Sequence, residues 1–169
     1  AQIEVFSGFL AATLTQPGLW WARRASWQPP TDPGGPGPLA IYTDASRDPA
    51  TGDSSVAVCF PFGIAMSAIG YTTSSTEAEG VAIAIAVSMA HAVQDPLGCV
   101  IHTDSEVAIK QYAQKNQNAA APCVRAANLK LQELGDKAHI MWVRGHNGDA
   151  SNEEANTAAN WACLHQHGQ

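Results

Sequence analysis

The sequence predicts an α/β fold in which a mixed five-stranded sheet is flanked by helices. Three β-rich segments follow one another closely after residue 38, and two further short apolar segments alternate with helical ones. Strands joined by short turns pair antiparallel, whereas strands separated by helices usually pair in parallel. We therefore expect three antiparallel strands followed by parallel ones, in the order βββαβααβα.

The strands are identified by apolar alternation and by their β-branched residues. Five segments meet these criteria: residues 39–43, 55–62, 64–73, 99–103 and 138–143. The first segment ends directly before Asp44, and the fourth ends directly before Asp104. The sequence thus predicts an acidic residue at the end of two strands.

Helical signals mark four segments: residues 76–93, 105–115, 122–134 and 151–164. The first is rich in alanine and apolar on several sides, which predicts a buried core helix rather than a membrane span. Pro122 suits the first turn of the third helix, and Gly135 suits its end. Ser151 and Glu154 have the spacing of a capping box and predict the start of the last helix.

Residues 1–38 differ in composition from the rest of the chain. We interpret them as an N-terminal extension with a Pro/Gly-rich linker, so that the main domain comprises residues 39–165. Residues 3–14 are compatible with a short helix. A group of aromatic and basic residues follows: Trp20, Trp21, Arg23, Arg24 and Trp27. We expect this group to pack on the main domain or on a neighbouring domain, with base stacking as the alternative.

The composition is that of a globular protein, with 46% hydrophobic residues and a net charge of −6. This charge argues against a large phosphate-binding surface on this chain alone, because such surfaces rely on Lys and Arg. Four cysteines, with no closely spaced pair, argue against a structural zinc site and against a disulfide scaffold. We expect reduced thiols and an intracellular protein without a membrane partner.

The chemistry-bearing residues are acidic and lie at the predicted ends and starts of elements. Asp44 and Asp104 follow two strands that we expect to be parallel neighbours, so both emerge at the carboxyl edge of the sheet. Glu79 lies near the start of the first helix, where it can face the same edge. Carboxylates held this close repel one another unless a hard cation binds between them.

Each carboxylate also has a simpler interpretation. Asp44 and Asp104 suit turns, and Asp104 suits the cap of the helix that follows it. Glu79 has the spacing of a capping box from Thr76, and Glu77 has the same spacing from the residue three before it. The sequence leaves these alternatives open for each residue taken alone.

Taken together, five motifs resemble the ribonuclease H family, and the retroelement type more than the cellular type. The motifs are Tyr42-Thr43-Asp44-Ala45-Ser46, Ser75-Thr76-Glu77-Ala78-Glu79-Gly80-Val81-Ala82, His102-Thr103-Asp104-Ser105-Glu106, Trp142-Val143-Arg144-Gly145-His146 and Asn152-Glu153-Glu154-Ala155-Asn156. The resemblance covers residues 39–163. It implies an RNase H-like sheet and a metal-dependent endonuclease that cuts the RNA strand of RNA–DNA hybrids.

The resemblance also implies the site residues. The two aspartates of the family fall on Asp44 and Asp104, and its helix glutamate falls on Glu79 rather than on Glu77. With the fourth position of the family, they would hold two Mg²⁺ ions, with Mn²⁺ as a substitute. His146 matches the mobile histidine that assists proton transfer or product release.

The chain departs from the family at the fourth metal position, where Asn156 replaces a carboxylate. An amide carries no charge and binds a hard cation less well, so we expect weakened activity or an altered metal preference. Five residues are expected to contact the nucleic acid: Ala45, Ser46, Ser74, Ser75 and Glu106. Some of them differ from the residues usual in the family, which predicts weaker binding of the nucleic acid.

The segment between Asp104 and Trp142 is too short for the basic handle helix of bacterial members. Retroelement enzymes often lack this handle and borrow affinity from an attached polymerase, which makes a reverse-transcriptase polyprotein the expected context. The alternative keeps the fold without catalysis, as a hybrid-binding or protein-scaffolding module. An integrase or resolvase on the same fold is disfavoured, because these proteins usually lack the Gly-His loop before the last helix.

Overall fold

The computed structural model describes residues 9–27, 37–113, 121–144 and 150–166. The strands in these ranges are β1 Thr13–Gln16, β2 Leu19–Arg23, β3 Leu39–Arg47, β4 Asp53–Phe60, β5 Gly63–Tyr71, β6 Cys99–Thr103 and β7 Ala138–Trp142. The helices are α1 Ser75–Val93, α2 Glu106–Ala113, α3 Pro122–Leu134 and α4 Ala150–His165, with a 3-10 turn at Gly135–Lys137. The order from β3 onward confirms the predicted βββαβααβα.

All of these strands belong to one mixed sheet, in the order β1-β2-β5-β4-β3-β6-β7. Pairing is antiparallel from β1 across to β3, while β3, β6 and β7 are parallel. The α/β class and the change from antiparallel to parallel strands are therefore confirmed. The sheet has seven strands in the described ranges rather than the five that the sequence predicts.

The two additional strands come from the N-terminal segment. β2 pairs antiparallel with β5, and Trp20 lies opposite Met66 in this pairing. Trp20 and Ala22 are buried on one side of β2, as the two-residue period of a strand requires. β2 has five residues, which is too short a stretch for this alternation to stand out in the sequence. The predicted helix is wrong at residues 9–14, which contain no helix: Phe9 forms an isolated antiparallel bridge with Arg24, and residues 13–14 belong to β1. Residues 1–8 lie outside the described ranges.

The helices cover the two faces of the sheet. α1 packs on β3 and β4 and against α3, while α4 packs on the other face over β3, β4 and β5. α1 is long and apolar enough to cross a membrane by length and composition. One such helix is weak evidence for a span, because the core helix of a soluble protein meets the same criteria. The predicted division into an extension and a main domain at residue 38 stays a prediction.

β3 extends beyond the point at which the sequence predicts its end. Its parallel pairing with β6 stops at Tyr42 opposite His102, but its antiparallel pairing with β4 continues to Arg47. Asp44 therefore lies within β3 rather than after it, because the pairing of β3 with β4 continues past the point at which its pairing with β6 stops. The backbone at Asp44 is held by β4 on one side and is no longer paired with β6 on the other.

The start of the last helix also differs from the prediction. α4 begins at Ala150, so Ser151 lies inside the helix and is not its cap. Glu154, the predicted capping partner, forms an ion pair with Arg24 instead. The cysteines in the described ranges are free thiols, as expected, with Cys59 and Cys99 buried.

Candidate active site

Three carboxylates from distant parts of the chain meet at one edge of the sheet. Asp44 comes from β3, Glu79 from α1, and Asp104 directly follows β6. One carboxylate oxygen from each lies within 4.8 Å of the others. Asp44 is buried, while Glu79 and Asp104 are partly exposed. We call these three residues the acidic cluster.

The sheet explains why the two aspartates meet. Tyr42 lies opposite His102 in the parallel pairing of β3 and β6. Asp44 lies two residues after Tyr42, and Asp104 lies two residues after His102. Both aspartates therefore lie beyond the carboxyl end of this parallel pairing. Open α/β sheets generally place their ligand sites at this edge.

α1 supplies the third carboxylate, and its N-terminal cap shows which glutamate is available. The Ser74 hydroxyl caps the helix by accepting a hydrogen bond from the Glu77 N–H at 3.1 Å. The Glu77 carboxylate in turn accepts hydrogen bonds from the N–H and the hydroxyl of Thr73. Glu77 therefore stabilises the start of the helix, while Glu79, about half a turn further on, faces the aspartates. The capping interpretation applies to Glu77 and not to Glu79.

A similar comparison applies to Asp104, which the sequence leaves as a possible helix cap. The Ser105 hydroxyl accepts a hydrogen bond from the Ala108 N–H at 3.1 Å, so Ser105 caps α2. One oxygen of the Asp104 carboxylate instead lies within 4.8 Å of a carboxylate oxygen of Asp44 and of Glu79. Both aspartates thus belong to the acidic cluster rather than to isolated turns.

The electrostatics of the acidic cluster are those of crowded, desolvated carboxylates. Burial is the main cause that raises the pKa of Glu79. The neighbouring charges of Asp44 and Asp104, and hydrogen bonding with them, raise it further, from its usual 4.5 to about 11. Glu79 therefore keeps a proton at neutral pH in the metal-free protein. A set of converging carboxylate oxygens fits a hard divalent cation, which would replace that proton and remove the repulsion.

Asn156 lies on α4 and is partly buried. It falls between the buried residues Asn152 and Ala159 on one stripe of the helix, which faces the sheet. Tyr42 packs against the buried apolar residues between α4 and the sheet. Asp44, two residues later on β3, points to the same face of the sheet. His146, the predicted proton-transfer residue, lies outside the described residues.

The predicted nucleic-acid contacts are distributed around the acidic cluster. The Ala45 N–H donates to the Asp44 carboxylate at 2.9 Å, so this backbone group orients a cluster member. Ser46 is partly buried near the end of β3, and Ser75 is exposed at the first turn of α1, after the Ser74 cap. Glu106 is exposed at the start of α2. None of these five residues belongs to the acidic cluster.

Arg47, for which the sequence predicts no role, lies close to the start of α1 in the structure. Its Nε donates to the Thr72 carbonyl oxygen at 3.0 Å, so the guanidinium lies beside the segment that leads into the helix. The sequence feature that could have indicated a role for Arg47 is its position, because it is a basic residue three positions after Asp44 in an acidic protein. Arg47 is a candidate for a phosphate contact.

Comparisons with known proteins agree with this geometry. The family model described as RNase H matches residues 36–163 of the chain. The fold is similar to the crystal structure of RNase H1 from the halophilic archaeon Halobacterium salinarum NRC-1, with a TM-score of 0.55 and 24% sequence identity, over 75% of this chain and 97% of that chain. A search of curated proteins gives no match. The family match covers well over half of the chain, and the chain therefore belongs to the ribonuclease H family.

Proposed function

We propose that this chain is a divalent-metal-dependent endonuclease that cuts the RNA strand of RNA–DNA hybrids. The observation that carries the proposal is the acidic cluster, in which one carboxylate oxygen from each residue lies within 4.8 Å of the others. Three acidic side chains converge this closely at a functional edge of a sheet only at a substantial electrostatic cost. Cation binding offsets this cost and makes the arrangement useful for phosphodiester chemistry.

Asp44, Glu79 and Asp104 would hold Mg²⁺, with Mn²⁺ as a substitute and Asn156 as the fourth position of a two-ion site. When bound, the metal supplies Lewis acidity, which activates water and stabilises charge on the leaving oxygen. The chain's own contribution is to orient the oxygens: the Ala45 N–H holds one oxygen of Asp44, and α1 carries Glu79 to the aspartates. Glu79 would hold the cation as a carboxylate, without the proton that its raised pKa favours in the metal-free protein.

The remaining roles concern the substrate. Backbone groups near Ala45 and Ser46, and the turn at Ser74 and Ser75, would contact 2′-hydroxyl groups, which distinguish RNA from DNA. Arg47 would contact a phosphate near the start of α1. His146 would move a proton during cleavage or product release.

We further propose that the chain acts as the RNase H domain of a reverse-transcriptase polyprotein. With a net charge of −6, the chain has little electrostatic attraction of its own for a nucleic-acid duplex. An attached polymerase would supply the missing affinity, in the cytoplasm or in a retroelement particle.

Asn156 supports a second candidate function, a hybrid-binding module without catalysis. A neutral amide at the fourth metal position compensates less of the metal charge than a carboxylate does. The same domain would then bind hybrids or partner proteins without cutting. The two candidates differ in what happens when the carboxylate is restored.

The test is cleavage of a labelled RNA–DNA hybrid in Mg²⁺ or Mn²⁺. We expect Asp44→Asn and Asp104→Asn to abolish cleavage, and Asn156→Asp to increase it by about tenfold or more. Glu77→Gln is the matched control, because Glu77 is also acidic and on α1 but serves the helix cap. Cleavage retained without Asp44 or Asp104 would refute the assignment, and absence of cleavage even in Asn156→Asp would favour the silent module.

A further inference from the structure

We propose that Trp142 and Thr103 are positioning residues that hold Asp104 in the acidic cluster. The peptide group between Asp104 and Ser105 has two polar atoms, and a side chain binds each of them. The Asp104 carbonyl oxygen accepts a hydrogen bond from the Trp142 indole Nε1–H at 3.2 Å. The Ser105 N–H donates to the Thr103 hydroxyl oxygen, also at 3.2 Å.

This peptide needs side-chain partners because it belongs to no regular element. β6 ends at Thr103 and α2 begins at Glu106. The sheet holds the chain before Asp104, since Trp142 pairs with Thr103 and the Val143 N–H donates to the Thr103 carbonyl oxygen at 2.8 Å. The two side-chain hydrogen bonds hold the chain after it. With both sides fixed, the φ and ψ angles of Asp104 are fixed, and these angles set the direction of its Cα–Cβ bond and limit the χ1 rotamers that its side chain can adopt.

The exposure of Trp142 is consistent with a positioning role rather than a core-packing role. Its side chain is 42% exposed although tryptophan has a large apolar surface, whereas Thr103 is almost fully buried. An exposed indole contributes little to core packing. What it does provide is an N–H donor at the tip of β7, directed at the residue that carries a cluster carboxylate.

Positioning matters here because the carboxylates repel one another. Without a cation, the negative charges of the two aspartates repel each other and favour rotamers that turn Asp104 away from Asp44. A fixed backbone limits which of those rotamers Asp104 can adopt. Removing a group that orients a metal ligand without touching the metal changes metal affinity by about 10-fold or more. This inference rests on the proposed function, since it assumes that the acidic cluster is the metal site.

The first experiment measures Mn²⁺ affinity of the full chain by titration calorimetry or by electron paramagnetic resonance. Trp142→Phe keeps an aromatic side chain but removes the indole N–H, and Thr103→Val keeps the shape and removes the hydroxyl. We expect either change to weaken Mn²⁺ binding by about 10-fold, and excess Mn²⁺ to restore hybrid cleavage. Trp27→Phe is the matched control, because Trp27 is similarly exposed and packs edge-on against Phe62. Unchanged Mn²⁺ affinity in both Trp142→Phe and Thr103→Val overturns the inference.

A second experiment needs no metal and separates this inference from the proposed function. Side-chain coupling constants measured by NMR report whether Asp104 populates one χ1 rotamer or several. We expect one rotamer in the metal-free wild type and in Trp27→Phe, and averaging in Trp142→Phe and Thr103→Val. Equal rotamer populations in all four proteins overturn the positioning role. Failure of the wild type to bind Mn²⁺ or to cleave hybrids instead refutes the proposed function and leaves the rotamer result to decide the positioning role.

Discussion

Arg24→Met is predicted to destabilise the protein by about 2–3 kcal/mol, because Arg24 ties the N-terminal strands to α4. Its guanidinium makes two hydrogen bonds to the Glu154 carboxylate, at 3.3 and 3.1 Å. Its Nε donates to the Pro61 carbonyl oxygen at 2.9 Å. It also lies over the Phe9 ring, 4.4 Å from the ring centroid.

The magnitude follows from these contacts taken one at a time. The side chains of Arg24 and Glu154 are 26% and 28% exposed, so solvent screening limits their ion pair to about 1 kcal/mol. The bond to Pro61 contributes about 1 kcal/mol, and the contact with Phe9 contributes about 0.5–1 kcal/mol. Arg24→Lys keeps the charge but loses the paired geometry, so we expect about half of the effect.

The assay is urea unfolding followed by tryptophan fluorescence, since Trp20 and Trp161 touch edge to face in the core between β2 and α4. A double-mutant cycle of Arg24→Met with Glu154→Gln should give a coupling energy of about 1 kcal/mol. A loss below about 0.5 kcal/mol in Arg24→Met is typical of an ordinary surface site. That result would contradict the argument that residues before the family match help to hold α4.

The remaining predictions concern the acidic cluster, one glycine and the substrate contact. The raised pKa of Glu79 gives the metal-free protein stability that is fully present below pH 4.5 and is lost as pH rises towards about 11. Glu79→Gln should remove this loss in unfolding measurements at several pH values, and an unchanged slope would contradict it. Gly98→Ala should cost more than about 2 kcal/mol in thermal unfolding, because φ is +84° and the new Cβ would lie 2.6 Å from the Lys137 carbonyl oxygen. Gly70→Ala, at φ +77° with open space, should cost about 1 kcal/mol, and equal losses in the two variants would show that the close approach at Gly98 is relieved. Arg47→Gln should raise the KM for hybrid by about threefold or more with little change in kcat, and a change confined to kcat would argue against a phosphate contact.

The sequence predicts most of the element order because each element has a strong local signal. Alternating apolar residues mark β4, the alanine-rich run marks α1, and Pro122 with Gly135 marks both ends of α3. The aspartates were predictable for a related reason. Each follows the parallel-paired part of its strand, and parallel neighbours bring such residues to one edge.

Only the tertiary structure decided the features that depend on partners far apart in the chain. β2 joins the sheet through β5, and Arg24 reaches Glu154 across 130 residues, contacts that no local pattern encodes. Locally, Glu77 and Glu79 both suit a capping box, and the Thr73 and Ser74 hydrogen bonds decide which of them is free to face the aspartates. A carboxylate's role depends on the groups around it in three dimensions, and those groups come together only when the chain folds.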